Sequence, residues 1–284
     1  MIKGVSIKDA PFEFSAMILR LRDFLAILET IAPARWAEPW DNPGLQVGSL
    51  SQEIKKIVSS LDPTFKSLVS ASEANAQVLF THHPLIFRPL SRIDINAFPG
   101  NVVAEAVKRE ISIVAAHTNL DVARRGINDI LADLMGLINV AVLQHNDEAE
   151  GVGLGRIGDL PEPAELSVVA KDIKKILGTQ TIRAIGQQDT LIRRLAVVGG
   201  SGGSLTSLAH EKGADLLLTG DIGHHVALEA KTLGIALIDG GHFYSEKTAF
   251  RVFAKNLEEI LTSKGWEVTV ETDEDETDPV WMSD

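Results

Sequence analysis

Ala76-Gln-Val-Leu-Phe80 runs without a break into Thr81-His82-His83-Pro84. A short β-prone run that stops abruptly in polar residues is the pattern of a buried strand delivering two imidazoles to its carboxyl edge. In open α/β sheets that edge is where ligands bind. Successive strand residues point to opposite faces, so two consecutive histidines just past a strand end can reach two different metals. Pro84 cannot continue a ladder and restricts His83 to extended geometry, which fixes the direction of exit. Taken alone, His-His fits equally well a polar loop with two unrelated histidines, and the motifs around it have to decide.

Upstream, Lys56 to Leu61 reads as a strand and the stretch through Leu68 and Ala71 as a helix. Earlier still, Leu19, Leu21, Phe24, Leu25, Leu28 and Ile31 recur at near-helical spacing, which predicts an amphipathic helix from Met17 to Ala32 closed by Pro33 and Pro39. The turn-rich Trp40-Asp-Asn-Pro-Gly-Leu-Gln-Val-Gly48 follows. Downstream, Val102 to Val107 reads as helix and Ile111 to Ala116 as a buried strand ending in His117-Thr-Asn-Leu-Asp121. An apolar strand again gives way to ligand-type residues. Ile127 to Leu137 is expected to be helical, as is Leu166 to Leu177. Gly151-Val-Gly-Leu-Gly155 lacks the spacing of a dinucleotide fingerprint and reads as strand and turn glycine.

Arg194 opens what reads as a second copy of the first half. An ungapped offset of 138 residues lays Ile57 on Leu195, Ala71 on Ala209, Ala76 on Ala214, Leu79 on Leu217 and Thr81 on Thr219, with His82 falling on Gly220. The strand Ile235 to Asp239 before Gly240-Gly-His242 then corresponds to Ile111 to Ala116 before His117. The shared order of elements predicts an α/β fold of two similar halves, a tandem duplication with mostly parallel sheets and a metal site between the halves. The expected division is a first half over 17–135, a connecting segment over 136–193, a second half over 194–270 and an acidic tail over 271–284. Phe250, Phe253, Ala254, Leu257 and Leu261 form a core-facing helical stripe, Trp266 to Val270 a last strand, and the tail is expected to be solvated.

Composition narrows the chemistry. The 284 residues are 45% hydrophobic and 23% charged, which are globular values with room for one large or two ordinary domains. The formal net charge of −12 argues against a nucleic-acid surface. No apolar run approaches a membrane span, and the stretch 1–16, read as a short extension, has no signal-peptide core, so the expected location is cytoplasmic. With no cysteine, disulfides and thiolate metal sites are excluded, and any metal has to be held by His, Asp or Glu. Six of the eight histidines fall in four clusters at predicted strand ends or helix starts: His82/His83, His117 with Asp121, His224/His225, and His242 with Glu246. His242 and Glu246 are four apart and share a face if a helix starts between them, although a carboxylate near a helix start is also favoured by the helix dipole alone. Imidazole and carboxylate ligation without sulfur suits zinc, iron, manganese, cobalt or nickel. A nucleophilic serine fares poorly, since Gly200-Ser201-Gly202 lacks the full nucleophile-elbow pattern. Gly199-Gly-Ser-Gly-Gly-Ser204 is either an anion cradle or a strand-to-helix turn.

Trp40 to Gly48, Thr81-His-His-Pro84, Ala116-His-Thr-Asn-Leu-Asp121, Val197 to Gly203, Thr219-Gly-Asp221 and Gly241-His-Phe-Tyr-Ser-Glu246 together resemble the NIF-three-like family of dinuclear-metal proteins, homologues of a type 2 form of GTP cyclohydrolase 1. The resemblance runs from about Met17 to Val270. It implies His82, His83, Asp121, His242 and Glu246 as ligands of two divalent metal ions per chain, with Glu246 bridging. It also implies a toroidal homohexamer. His117, His224 and His225 are left as candidate catalytic or substrate-contacting residues. Two functions are expected to compete. One is a metal-dependent hydrolase, cyclohydrolase-like or phosphoester-cleaving, acting on a small molecule such as a nucleotide. The other is a non-catalytic metal-binding scaffold or regulatory interaction protein. Five ligands around two metals leave positions for water and substrate, which favours the first.

Overall fold

The computed structural model describes residues 18–146 and 149–281. The first half contains β1 (Leu19–Arg20), α1 (Leu21–Ile31), β2 (Gly44–Val47), β3 (Glu53–Ile54), β4 (Lys56–Ser60), α2 (Phe65–Glu73), β5 (Val78–Thr81), α3 (Gly100–Lys108), β6 (Ser112–Ala115), α4 (Thr118–Val122) and α5 (Ile127–Leu134). There follow β7 (Ile138–His145), β8 (Gly153–Glu165), α6 (Leu166–Leu177), β9 (Arg183–Ile185), β10 (Leu191–Ser201), α7 (Thr206–Glu211), β11 (Leu216–Gly220), α8 (His224–Leu233), β12 (Ala236–Asp239), α9 (His242–Ser263) and β13 (Thr269–Thr272).

Two sheets carry the molecule, in the orders β13-β4-β5-β6-β2 and β7-β8-β10-β11-β12-β9. Their parallel centres correspond. Ile57 pairs with Val78 between β4 and β5, and Leu195 pairs with Leu216 between β10 and β11, which is the same register moved by 138 residues. Thr81 and Thr219 accordingly stand at equivalent strand ends, opposite Ala115 and Asp239. The faces correspond too. Ile57, Val78 and Phe80 join one core with α1 and α9, while Val58 and Leu79 join another with α2 and α3. In the second sheet Leu195, Leu216 and Leu218 pack with α6, while Ala196 and Leu217 pack with residues of α7 and α8. Strands buried on both faces explain why these runs are continuously apolar rather than alternating.

The two halves differ at their rims. Every pairing in the first sheet is parallel except β2 with β6, whereas in the second β7, β8 and β9 pair antiparallel, so mostly parallel describes the first sheet only. Strands of the stretch 136–193 are built into the second sheet, β7 and β9 as its edges and β8 between β7 and β10. The chain's last strand, β13, pairs with β4 in the first sheet, not the second.

Three expectations need correction. Leu19 and Arg20 are not helical. They pair with Ile54 and Glu53, and Asp23 accepts the Arg20 N–H at 3.2 Å, which starts the helix at Leu21. Burial of both Leu19 and Leu21 fits strand alternation as well as a helix, so spacing alone could not place this boundary. Met17 lies outside the described residues. The last strand begins at Thr269 rather than Trp266. The acidic stretch after it is not simply solvated: Glu276 accepts from Leu61 N at 2.7 Å and Ser60 Oγ at 3.1 Å, and Asp273 accepts from Ser70 Oγ at 3.0 Å.

Helix α9 sits between the sheets. Phe250 lies 5.1 Å from Phe80, whose ring meets Phe24 edge-on at 5.7 Å, while the helix also packs on β10, β11 and α5. Its first turn therefore faces the carboxyl ends of both sets of parallel strands.

Candidate metal centre

The end of β5 places His82 on the α9 face, fully buried and 5.6 Å from Phe250. Its Nδ1–H donates to Ala116 O at 2.8 Å, at the end of β6. A carbonyl can only accept, so Nε2 carries the lone pair and points into the site. His83 leaves β5 on the other side. Its Nδ1 bonds Asp62 Oδ1 at 2.7 Å, just past the end of β4, and its N–H bonds Leu61 O at 3.0 Å. His242 opens α9 with Nδ1 on Asp221 Oδ2 at 2.7 Å, just past the end of β11. His117, at the end of β6, has Nδ1 on Asp41 Oδ1 at 2.8 Å, and Thr118 bonds the other oxygen of the same carboxylate. Four imidazoles are thus each oriented by an acceptor on Nδ1, the arrangement that fixes tautomer and ring direction in metal-ligating histidines.

These rings meet two carboxylates. Glu246 Oε2 lies 3.1 Å from both His83 Nε2 and His242 Nε2, and Glu246 Oε1 lies 3.7 Å from His82 Nε2. Asp121 Oδ1, at the end of α4, lies 3.4 Å from His82 Nε2. His82, Asp121 and Glu246 form one group able to hold a metal, and His83, His242 and Glu246 form another; His82, His83 and His117 form a third. His82 Nε2, Asp121 Oδ1 and Glu246 Oε2 are buried without a hydrogen-bond partner. Orphaned buried polar atoms are costly, and here all three are metal-ligating types aimed at a common space. The residues present fit a divalent cation.

The electrostatics agree. Burial holds His82 below the ordinary imidazole value. Burial acts on His83 in the same sense, but its bond to Asp62 and the Glu246 carboxylate beside it outweigh burial and push the ring up to about 10. The Glu246 carboxylate beside it, against burial, pushes His242 up to about 9. Burial and the Glu246 charge raise the Asp121 carboxyl. Glu246 stays well below the usual carboxylate range despite its burial, because His82, His242 and His83 surround it. Asp41 is held at about 2 by His117 and Thr118, again against burial.

Glycines make room for α9. Gly200, at φ +63°, would place a Cβ 2.0 Å from Glu246 Oε1, and at Gly220 a Cβ would meet the His242 backbone nitrogen at 2.6 Å. The glycine-rich run at the end of β10 is thus a close-approach surface for Glu246, and Gly200 N–H donates to Ser245 Oγ at 3.1 Å. A cavity of about 640 Å³ opens onto the cluster, lined among others by Trp40, Phe87, Thr118, Val198 and Ser201.

His82, His83, Asp121, His242 and Glu246 are therefore brought together from both halves, with His117 beside them. His224 and His225 are exposed at the start of α8, 5.7 Å from each other, and do not line this cavity. Asp62, Asp41 and Asp221, which orient the rings, were not singled out from the sequence as site residues. Asp41 and Asp221 lay inside quoted motifs, and all three follow or face a strand end, which is the signal that would have found them.

An α/β protein with a histidine–carboxylate cluster suited to a divalent metal, seated where two similar halves meet, is the class this geometry defines. Residues 19–279 match the model of the Duf34/NIF3 (NGG1p interacting factor 3) family, and the chain belongs to that family. Among its relatives, a Clostridium acetobutylicum protein named GTP cyclohydrolase 1 type 2 homolog is 31% identical over 264 residues, covering 93% of this chain and 98% of that one. A Helicobacter pylori protein named GTP cyclohydrolase 1 type 2 is 34% identical over 253 residues, covering 88% and 95%. Among solved structures, a Staphylococcus aureus protein superposes with a TM-score of 0.89 at 29% identity, covering 94% of this chain and 100% of that one.

Proposed function

We propose that the chain is a dinuclear metal-dependent hydrolase acting on a nucleotide or a related heterocyclic substrate. The observation that carries this reading is the division of one carboxylate between two donor sets: Glu246 belongs with His82 and Asp121 on one side and with His83 and His242 on the other. A bridging carboxylate is the usual way to hold two cations close together, and such a pair supplies an activated water and a clamp for developing negative charge. The names of the curated relatives favour a cyclohydrolase-type reaction.

The chain's own contribution is orientation and proton handling. Asp62, Asp221 and Ala116 O set the directions of His83, His242 and His82. His117, tied through Nδ1 to Asp41, turns Nε2 toward the other rings and is placed to accept or return a proton in the cavity. The metals are drawn from zinc, iron, manganese, cobalt and nickel, and a cytoplasmic homohexamer is the working assembly of this reading. Elemental analysis should find two divalent ions per chain, turnover of a nucleotide panel should depend on them, and light scattering should give six times the chain mass. Two ions with no turnover of any nucleotide would move the reading to a metal-binding scaffold.

A further inference from the structure

The mouth of the cavity is built for something the metal ligands do not explain. Trp40 and Phe87 remain 56% and 44% exposed although their rings lie only 5.6 Å apart, tilted by 52°. Trp40 also presents its ring edgewise to His117 at 6.1 Å. Exposed aromatics on loose loops would mean little, but these loops are braced against each other. Asn42 Nδ2 donates to Ile86 O at 2.6 Å, Gln46 Oε1 accepts the Ile86 N–H at 3.0 Å, and Asp41 is tied to His117 and Thr118. The residue after Ile86 and the one before Asp41 are thus held firmly while their faces stay open. Both rings line the inner cavity with His83, His117 and Glu246, and both also line an outer hollow of about 430 Å³ with Arg88 and Pro89. Among the residues lining the two hollows, Arg88 is the one arginine or lysine, and no ion pair engages it among the described residues. The inner wall instead carries the carboxylates of Glu38, Asp121 and Glu246.

We propose that Trp40 and Phe87 form a stacking ledge for the planar base of a mononucleotide, with its phosphate directed outward to Arg88. Rigid aromatic faces recognise a π-system at low entropic cost, and a lone cation beside them selects an anionic tail. This inference rests on the hydrolase reading for its significance and sharpens it. A base on the ledge stands between Arg88 and the metal ligands, so a ring atom of the heterocycle, not the phosphorus, lies nearest the reactive centre.

The test uses metal-stripped full-length protein titrated by calorimetry with GMP, guanosine and ribose 5-phosphate, so that binding is read without turnover. Trp40→Ala and Phe87→Ala should each weaken GMP and guanosine by about 5- to 150-fold. Trp40→Phe should retain affinity within about threefold, since it keeps a stacking face. Arg88→Ala should weaken GMP and leave guanosine unchanged. Failure of the wild type to bind either GMP or guanosine at millimolar concentration, or unaltered affinity in both Ala variants, overturns the ledge. If those variants dissociate the assembly while base affinity is kept, the ring pair is a contact between copies and the proposal falls. Unchanged GMP binding in Arg88→Ala overturns the outward phosphate. Two metals per chain without base binding would sink the ledge and leave the metal centre standing; base binding by a chain that takes up no divalent metal on reconstitution would do the reverse.

Discussion

Replacing Glu246 by Gln removes one negative charge from between three imidazoles while keeping the side chain's shape. At 3.1 Å from His83 Nε2 and from His242 Nε2, a unit charge pair is worth about 5 kcal/mol at an effective dielectric of about 20. Together with the Asp62 bond it outweighs burial and raises His83 to about 10, while for His242, whose ring is about one-third exposed, solvent screening reduces the figure. In metal-free Glu246→Gln, both rings should therefore titrate at least one pH unit lower than in the wild type, read by NMR of the histidine ring protons. The same change removes the one anionic group shared by both donor sets, so under the proposed dinuclear reading both cations should be lost together. Elemental analysis of Glu246→Gln should show occupancy falling at both positions, with His82→Ala depleting mainly one and the exposed His225→Ala leaving the content unchanged. Full occupancy in Glu246→Gln, or unshifted His83 and His242 titrations, would refute the assignment of Glu246 as the shared ligand.

Asp62→Ala takes the acceptor from His83 Nδ1 and should weaken metal binding about 10- to 100-fold by competition with a chelator, with little change in the melting transition. Glu276→Ala leaves the Leu61 N–H and Ser60 hydroxyl without their carboxylate and should cost about 1–3 kcal/mol in urea unfolding; an unchanged midpoint would show that the acidic segment is not an anchor. Metal affinity should rise with pH from about 6 to 9, because His83 and His242 titrate at about 10 and 9 in the metal-free site and are protonated at pH 7. A cation must displace those protons, so each one displaced makes binding tenfold weaker per pH unit of acidification, and equilibrium dialysis giving a flat profile would contradict this.

The parts of the molecule that were legible in the sequence are those written in local pattern. Val78 to Thr81 and Leu216 to Gly220 are apolar on both faces, so each reads as a buried strand, and the shared offset follows because β4–β5 and β10–β11 keep one register. Helix α6 falls at Leu166–Leu177 as its periodicity predicts. What stayed hidden depends on partners distant in sequence. The pairing of β13 with β4 joins residues more than two hundred positions apart, and nothing in Thr269–Thr272 names the strand it will meet. Asp62 becomes part of the site only through the return of β5 beside β4. The burial of Glu276 likewise requires Lys247 and Arg251, successive turns of α9 that could not be placed beside the tail from composition.

The two halves are alike in register but unlike in what they give to the site, and the glycines show why. His82 follows β5 with a buried imidazole, and its counterpart at the end of β11 is Gly220, where any side chain would strike the backbone of His242. Gly200 near the end of β10 likewise leaves the space that the Glu246 carboxylate fills, adopting a positive φ that side chains disfavour. The second sheet therefore offers bare backbone at its strand ends, so that α9 can bring its first turn against them. Because Phe250 and Phe253 on the same helix are locked against Phe80 of the first sheet, the position of Glu246 is fixed by both cores at once. A carboxylate meant to serve two donor sets needs that double anchoring. If α9 packed on one sheet alone, relative motion of the halves would change the distance from Glu246 to His82 and His83, and the two groups could not be held in a single geometry.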